Sequence, residues 1–149
     1  MKSGEIKLLK IAVVDGQGGD IGRQIIEAVR REIYWDVQVI ALGTNSMATA
    51  AMVKAGANIG ATGENAIVNA SRGVDLIVGP VGIIAADAMN GEITDTMAFA
   101  IAASLARKML IPFSKCDIEI TGVDKSLSLA QMVEKAVGMI KIVYHEARG

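Results

Sequence analysis

The feature that most constrains the fold is a short apolar run that ends in a glycine-rich turn, LLKIAVVDGQGGDIG, over residues Leu8–Gly22. Leu8–Val14 is apolar apart from Lys10, which is typical of a strand buried on both faces of a parallel sheet. The turn leads directly into Asp20–Ile33, whose apolar residues share one face of a helix. The segment therefore predicts a strand, a tight turn and a helix in close succession, as in α/β domains.

The same alternation continues along the chain. Further strands are predicted over Val37–Leu42, Ala57–Ala61 and Val74–Val78, and further helices over Met47–Ala55, Gly63–Ala70, Asp95–Arg107 and from Ser128 onward. The predicted caps are Asn45 or Ser46, Thr62, Thr94 or Asp95, and a Ser128–Gln131 capping box, with Gly56 as a helix stop. In the last helix, the residues expected to face the core are Leu129, Met132, Val133, Ala136, Val137 and Ile140.

Two short apolar runs near the C-terminus, Met109–Pro112 and Ile118–Thr121, are separated by few residues. A parallel crossover needs about a dozen residues or more, so these runs predict an antiparallel edge hairpin with Cys116 in its turn. We therefore expect residues 1–149 to form a single three-layer, Rossmann-like α/β domain with a mostly parallel sheet.

Composition argues against several classes of protein. The net charge of −1 lacks the basic excess of a nucleic-acid binder. No apolar run approaches the roughly 18 residues of a membrane span, and the first residues do not resemble a signal peptide. The single cysteine rules out an internal disulfide and fits a reducing compartment. We expect a cytoplasmic protein that binds neither nucleic acid nor membrane.

The glycine-rich turn is the first candidate binding site. Gly16, Gly19 and Gly22 form G-x-x-G-x-x-G, and Gly18 offers an alternative G-x-G spacing with Gly16. Between a strand and a helix, such a turn lets backbone N–H groups approach a phosphate at the positive end of the helix dipole. The alternative is a turn that only reverses the chain.

The stretch VVDGQGGDIG resembles the nucleotide loop TGxxGxxG of extended short-chain dehydrogenase/reductases and their flavin-reductase-like or NmrA-like relatives. The resemblance implies a tight turn at Gly16, close approach of a pyrophosphate at Gly19, close helix–strand packing at Gly22, and NAD or NADP as the cofactor. This chain departs from that pattern by having Asp15 where the relatives have Thr or Ser, and by a further carboxylate at Asp20.

Carboxylates repel phosphate unless a cation intervenes or they cap backbone groups. Arg23 is placed to offset this charge in part, and Asp15 has a simpler alternative role as a cap of the loop.

Two other strand ends are expected to reach the same cleft. The second strand runs into Gly43, Thr44 and Asn45, where dinucleotide sites usually have an acidic residue that binds the ribose. These small polar groups either hold a ribose or a 2′-phosphate, or only cap the next helix. The third clear strand ends in Gly79, Pro80 and Val81, which either face the glycine loop or only end the strand.

No catalytic residue can be assigned. The Tyr-x-x-x-Lys pair of short-chain reductases is absent, since Tyr34 has no lysine at that spacing. His145 and Cys116 are the only histidine and cysteine, too few for an ordinary zinc site, and no metal is expected. Acidic residues around Asn90-Gly91, including Glu92, either act as an acid, bind a metal, or simply form a polar loop.

Most of the chain resembles an uncharacterised bacterial family of small Rossmann-like proteins, through the glycine loop and the stretches RGVDLIVGPVGIIAADAMNGEIT and MLIPFSKCDIEITGV. This resemblance implies a fold and a ligand cleft but no established activity. We expect a nucleotide- or dinucleotide-binding or sensor protein without its own catalytic residues. The alternatives are an oxidoreductase completed by oligomerisation or a partner, and an oligomeric scaffold that binds no ligand.

The helix predicted over Asp95–Arg107 is apolar nearly all round. A surface helix normally keeps a polar face, so this pattern predicts burial on more than one side. We therefore expect a homo-oligomer, a dimer or higher, that packs partly through this helix.

Overall fold

The computed structural model describes residues 8–33, 36–113 and 117–148. The strands are β1 (Leu9–Asp15), β2 (Val37–Gly43), β3 (Ile59–Thr62), β4 (Leu76–Pro80) and β5 (Arg107–Ile111). The helices are α1 (Asp20–Ile33), α2 (Ser46–Ala55), α3 (Glu64–Ser71), α4 (Asp95–Ala103) and α5 (Leu129–Arg148), with a short 3-10 turn at Val81–Ile84 after β4. Tyr34 and Cys116 lie outside the described residues.

The strands form one sheet in the order β3-β2-β1-β4-β5. All four neighbouring pairs are parallel, and Val13 of β1 lies opposite Ala41 of β2 on one side and Val78 of β4 on the other. The α/β class and the parallel sheet are therefore confirmed. Because the chain leaves β1 toward β2 and later returns to its other side with β4, the strand order reverses at β1.

The expected antiparallel edge hairpin is wrong. β5 pairs with β4 in parallel through the crossover helix α4, and residues 118–121 form no strand. Ile118 and Ile120 are both exposed, so this segment has no buried side on which a strand could be held. The local pattern indicated two strands, but the partner of β5 lies far away in sequence.

Several helix ends follow the predicted caps. Asn45 accepts a hydrogen bond from the N–H of Ala48 at 2.9 Å, and Thr94 accepts one from Met97 at 3.1 Å. Gly56 ends α2, and Ser128 and Gln131 exchange the two bonds of a capping box.

Two predicted helix ends are wrong. α3 begins after Gly63 without a side-chain cap, because the hydroxyl of Thr62 pairs instead with that of Thr49 at 2.7 Å. α4 ends at Ala103 rather than Arg107, because Ser104 is extended and bonds the carbonyl of Ser71 at 2.6 Å. This turn brings Arg107 into register as the first residue of β5.

Helices cover both faces of the sheet and give three layers. α1, α2 and α5 pack with one core cluster, whereas α3 and α4 pack with the other. β1 supplies Ile11 and Val13 to the first cluster and Ala12 and Val14 to the second. The inward residues predicted for the last helix all lie in or against the first cluster. Within the described ranges, none of the helices has the length and apolarity needed to span a membrane.

Candidate functional site

The candidate site lies at the carboxyl ends of β1 and β4, where the strand order reverses. Ligands of open parallel sheets bind in the crevice at this position. A cavity of about 230 Å³ opens there. Its lining residues come from the glycine loop and from four other parts of the chain: Asp15, Gly16, Gln17, Gly18, Gly19, Asp20, Ile21, Pro80, Met89, Phe113 and Leu129. The structure thus brings the glycine loop and the end of β4 to one cavity.

Asp15 lies beneath the loop and is 4% exposed. Its Oδ1 accepts a bond from the N–H of Gly16 and its Oδ2 one from the N–H of Gly22, both at 2.8 Å. Burial raises the pKa of the Asp15 carboxyl, although these backbone N–H groups offset part of that effect. Asp15 therefore caps the loop and the start of α1, and both of its oxygens have protein partners.

The glycines of the loop differ in what surrounds them. Gly19 has a left-handed backbone, with φ at +74°, and a Cβ atom there would lie 2.8 Å from the carbonyl oxygen of Ala48 in α2. A Cβ atom at Gly22 would collide with the Met52 sulfur and lie 3.1 Å from the Cβ of Asp15. Gly18 alone in this loop has open space where a side chain would stand. Gly19 and Gly22 are therefore fixed by packing, whereas Gly18 faces outward.

The loop also keeps backbone donors for a ligand. The N–H of Gly19 bonds the carbonyl of Gly16 at 2.9 Å, and that of Gln17 bonds Glu92 at 2.8 Å. The N–H groups of Gly18 and Asp20 have no hydrogen-bond acceptor within residues 8–33, 36–113 and 117–148. Two donors at the positive end of α1 are thus available to an anion.

Asp20 does not stand as a lone negative charge beside these donors. The Arg23 guanidinium lies 2.6 Å from its Oδ1 and 3.0 Å from Oε1 of Glu27. The Arg23 bond lowers the pKa of Asp20, so this carboxylate stays ionised and paired at the exposed start of α1. Arg23 therefore offsets Asp20, as its position in the sequence suggested, and does not line the cavity.

Glu92 is the residue whose role the sequence did not reveal. It lies in the connection between β4 and α4, yet its Oε1 accepts three bonds from the opposite side of the site. The donors are the N–H of Gln17 at 2.8 Å, the hydroxyl of Thr44 at 2.7 Å and the amide of Asn45 at 2.8 Å. Partial burial opposes ionisation, but these bonds together outweigh it and lower the pKa of Glu92.

The end of β2 is therefore reached by a carboxylate, although its own sequence has none. Asn45 caps α2, one of the two roles that its sequence position allowed, and its amide also donates to Glu92. Gly43 is confined by Thr49, whose N would lie 2.6 Å from a Cβ atom there. Thr44 and Asn45 do not line the cavity, and both donate to Glu92, which lies outside the lining as well.

At the end of β4 only Pro80 lines the cavity. Gly79 lies against the carbonyl of Val14, where a Cβ atom would not fit, and Val81 is buried in the 3-10 turn. These two residues support the strand end rather than face the cavity.

The β4–α4 connection carries an unusual backbone. Asp87, Met89 and Asn90 are left-handed, with φ of 66°, 58° and 56°, and Gly91 follows at 88°. Left-handed non-glycine residues are uncommon and cluster at functional sites. This series of turns directs Met89 toward Gly16 and Glu92 toward Thr44. The only sequence signal for the role of this connection was the polar cluster around Asn90-Gly91. No local pattern indicated that Phe113 and Leu129 line the cavity.

The fold and site together define a doubly wound parallel α/β protein with a glycine loop at the reversal of strand order. The model of the family described as a domain of unknown function, DUF3842, matches residues 10–145, and the chain belongs to this family. The matched range contains all five strands except the first residue of β1. No curated protein gives a significant match.

Proposed function

We propose that this protein binds a nucleotide, with a phosphate group on the glycine loop and a ribose beside Glu92. The observation that carries the proposal is the pair of open N–H donors, Gly18 and Asp20, at a glycine loop where the strand order reverses. Backbone donors and the dipole of α1 supply the attraction for the phosphate.

Glu92 supports a dinucleotide such as NAD more than NADP. In dinucleotide sites an acidic residue near the end of the second strand binds the ribose 2′-hydroxyl, whereas an arginine accommodates a 2′-phosphate. Here Oε1 of Glu92 is held by Thr44 and Asn45 at this strand end, and Oε2 accepts no bond from the described residues. A hydroxyl can donate to Oε2, while a 2′-phosphate would meet a like charge.

The cavity itself is smaller than the roughly 300–1,000 Å³ typical of pockets that enclose a ligand. Its volume of about 230 Å³ suits a phosphate and part of a ribose, so the bases of a dinucleotide would lie along the open edge of the sheet. Because no catalytic residue can be assigned among the described residues at this edge, we propose binding or sensing rather than turnover.

One observation favours a second candidate function, that of a protein that binds no ligand at this loop. Asp15 and Glu92 already accept bonds from Gly16, Gln17 and Gly22, as an anion would. A site completed by its own carboxylates is stable when empty.

Calorimetric titration with NAD and NADP separates the two candidates. We expect the wild-type protein to bind NAD more tightly than NADP, and Glu92→Ala to lose about tenfold in NAD affinity, equal to about 1.4 kcal/mol. Glu134→Ala, which removes an exposed carboxylate from α5, is the matched control and should leave both affinities unchanged.

Absence of heat with either nucleotide at millimolar concentration, together with no nucleotide in the purified protein by mass spectrometry, would support the ligand-free function. Equal affinity of Glu92→Ala and wild type for NAD would contradict the role assigned to Glu92.

A further inference from the structure

The outer side of α3 and α4 carries a large apolar groove, distant from the glycine loop. Its volume is about 670 Å³, and it is lined mainly by small and apolar side chains, including Val68, Ala100 and Ala103. Phe99 and Leu105, which line the same groove, are 73% and 104% exposed. Two large side chains beside an open apolar groove are unusual on the surface of a monomer.

This face is not covered within the described part of the chain. α4 buries Met97, Ala98 and Ile101 against the sheet and leaves Phe99 on its other side. The last helix cannot cover it, because α5 packs on the opposite face of the sheet with α1. The apolar outer face of α4 therefore has no partner among residues 8–33, 36–113 and 117–148.

Charged side chains of opposite sign lie at opposite ends of the groove. α3 and α4 run in the same direction. At their N-terminal ends the hydroxyl of Thr94 donates to the carboxylate of Glu64 at 2.7 Å. At their C-terminal ends the hydroxyl of Ser104 donates to the carbonyl of Ser71 at 2.6 Å. Exposed Glu64 and Asp95 lie at the N-terminal ends of the two helices, the acidic end of the groove, and exposed Arg72, which lines the groove, lies at their C-terminal ends, the basic end. None of these three side chains forms an ion pair within the described ranges.

We propose that the α3–α4 face binds the same face of a second copy of this chain, in antiparallel orientation about a two-fold axis. In that arrangement the acidic end of one copy meets the basic end of the other at both ends of the contact. Phe99 and Leu105 of each copy enter the groove of its partner, whose floor of Ala100 and Ala103 allows close approach. The inference does not rest on the proposed nucleotide site.

Asp75 and Lys108 are the other titratable groups near the basic end. Asp75 accepts a bond from the N–H of Lys10 at 2.9 Å, and the amine of Lys108 bonds the carbonyl of Ser104 at 2.6 Å. Both are half-buried and engaged within the chain, so exposed Arg72 determines the charge that a partner meets at this end.

Sedimentation equilibrium of the full chain, from low to high micromolar concentration, tests the contact. We expect a dimer for wild type and a monomer for Phe99→Glu. Met47→Glu is the matched control, because Met47 is 69% exposed on α2 and lies outside the groove, and it should leave the dimer intact. Circular dichroism verifies that each variant is folded.

Charge reversal tests the antiparallel orientation. The variants Glu64→Arg/Asp95→Arg and Arg72→Glu each place like charges together in their own dimers, and each should be monomeric at concentrations where wild type dimerises. An equimolar mixture of the two should form a heterodimer, because every like-charge contact becomes an opposite-charge contact.

Three results would overturn the proposal. They are a monomeric wild type over the whole range, a dimer that survives Phe99→Glu, and a mixture of the charge-reversed variants that stays monomeric. A monomeric wild type that binds an apolar dye, with binding lost in Phe99→Glu, would assign the groove to a small apolar ligand instead of a second copy.

Discussion

At the scale of single residues, three glycines of the loop illustrate how one motif serves several purposes. Gly19 needs a left-handed backbone and contact with Ala48, and Gly22 lets α1 approach Asp15 and Met52. Neither requirement involves a ligand. Gly18 has no such requirement, because no atom lies within 4 Å of the position that a Cβ atom would take there. The loop glycines with close neighbours therefore fix the turn, and Gly18 is the position left open.

This difference gives a prediction that separates binding from folding. Gly18→Val should leave the free energy of unfolding nearly unchanged and weaken nucleotide binding by about tenfold or more, because its side chain would stand before the open N–H groups. Gly19→Val should instead lower the free energy of unfolding by roughly 1–3 kcal/mol, through backbone strain and collision with α2. Denaturant titration and calorimetry measure the two effects.

Gly73→Val is the control for Gly18→Val, because Gly73 also has no close neighbour and lies in a different turn, after α3. It should alter neither stability nor binding. Unchanged nucleotide affinity in folded Gly18→Val would refute the placement of the phosphate.

At the scale of elements, the β4–α4 connection holds the site together. Its left-handed residues direct Glu92 across the cleft, where one carboxylate oxygen joins the glycine loop to the end of β2. Hydrogen bonds to a charged acceptor are stronger than neutral ones, so this contact is expected to order three segments that are distant in sequence. The connection thus links the glycine loop to the end of β2 and supplies Met89 to the lining of the cavity.

The sign of the Glu92 pKa shift predicts how this contact responds to pH. Because the folded-state pKa lies below the ordinary glutamate value, the contact adds stability above that value and loses it as the pH falls through the folded-state pKa. Glu92→Ala should therefore be less stable than wild type at neutral pH, by about 1–3 kcal/mol, and the difference should shrink in acid.

Denaturant titration of both proteins at several pH values measures this difference, and Glu134→Ala provides the baseline. A stability difference that stays constant from neutral to acidic pH would show that the Glu92 charge contributes nothing to the contact.

At the scale of the whole molecule, the central strands join the two sides of the fold. β1 contributes to both core clusters, and so does β4, through Leu76 and Val78 on one side and Ile77 on the other. A core shared in this way is expected to unfold as one unit, since neither helix layer can leave without exposing the same strands.

We therefore expect Ile26→Ala, in the first cluster, and Ile101→Ala, in the second, each to lower the free energy of unfolding by about 2–5 kcal/mol in a single transition. Calorimetry and far-ultraviolet circular dichroism should report the same midpoint for each variant. The control is Ile142→Ala, because Ile142 is 59% exposed, and its effect should stay within about 0.5 kcal/mol. Two separate transitions in either core variant would show that the layers unfold independently.

Local patterns determined much of this molecule. The apolar run before the glycine turn predicted β1, the one-sided pattern of Asp20–Ile33 predicted α1, and the caps Asn45, Thr94 and Ser128 lie where their side chains suggested. These features depend on residues within a few positions of one another, so the sequence contains the interactions that produce them.

Tertiary structure alone decided the rest. The partner of β5 is β4, about thirty residues earlier, and no short-range pattern distinguishes that pairing from a hairpin with residues 118–121. Glu92 reaches Gln17 across 75 positions, because the strand order places the ends of β1, β2 and β4 at one edge of the sheet. Pairing of distant strands and the route of a connection across a sheet depend on the packing of the whole domain, and they determine which polar residues meet.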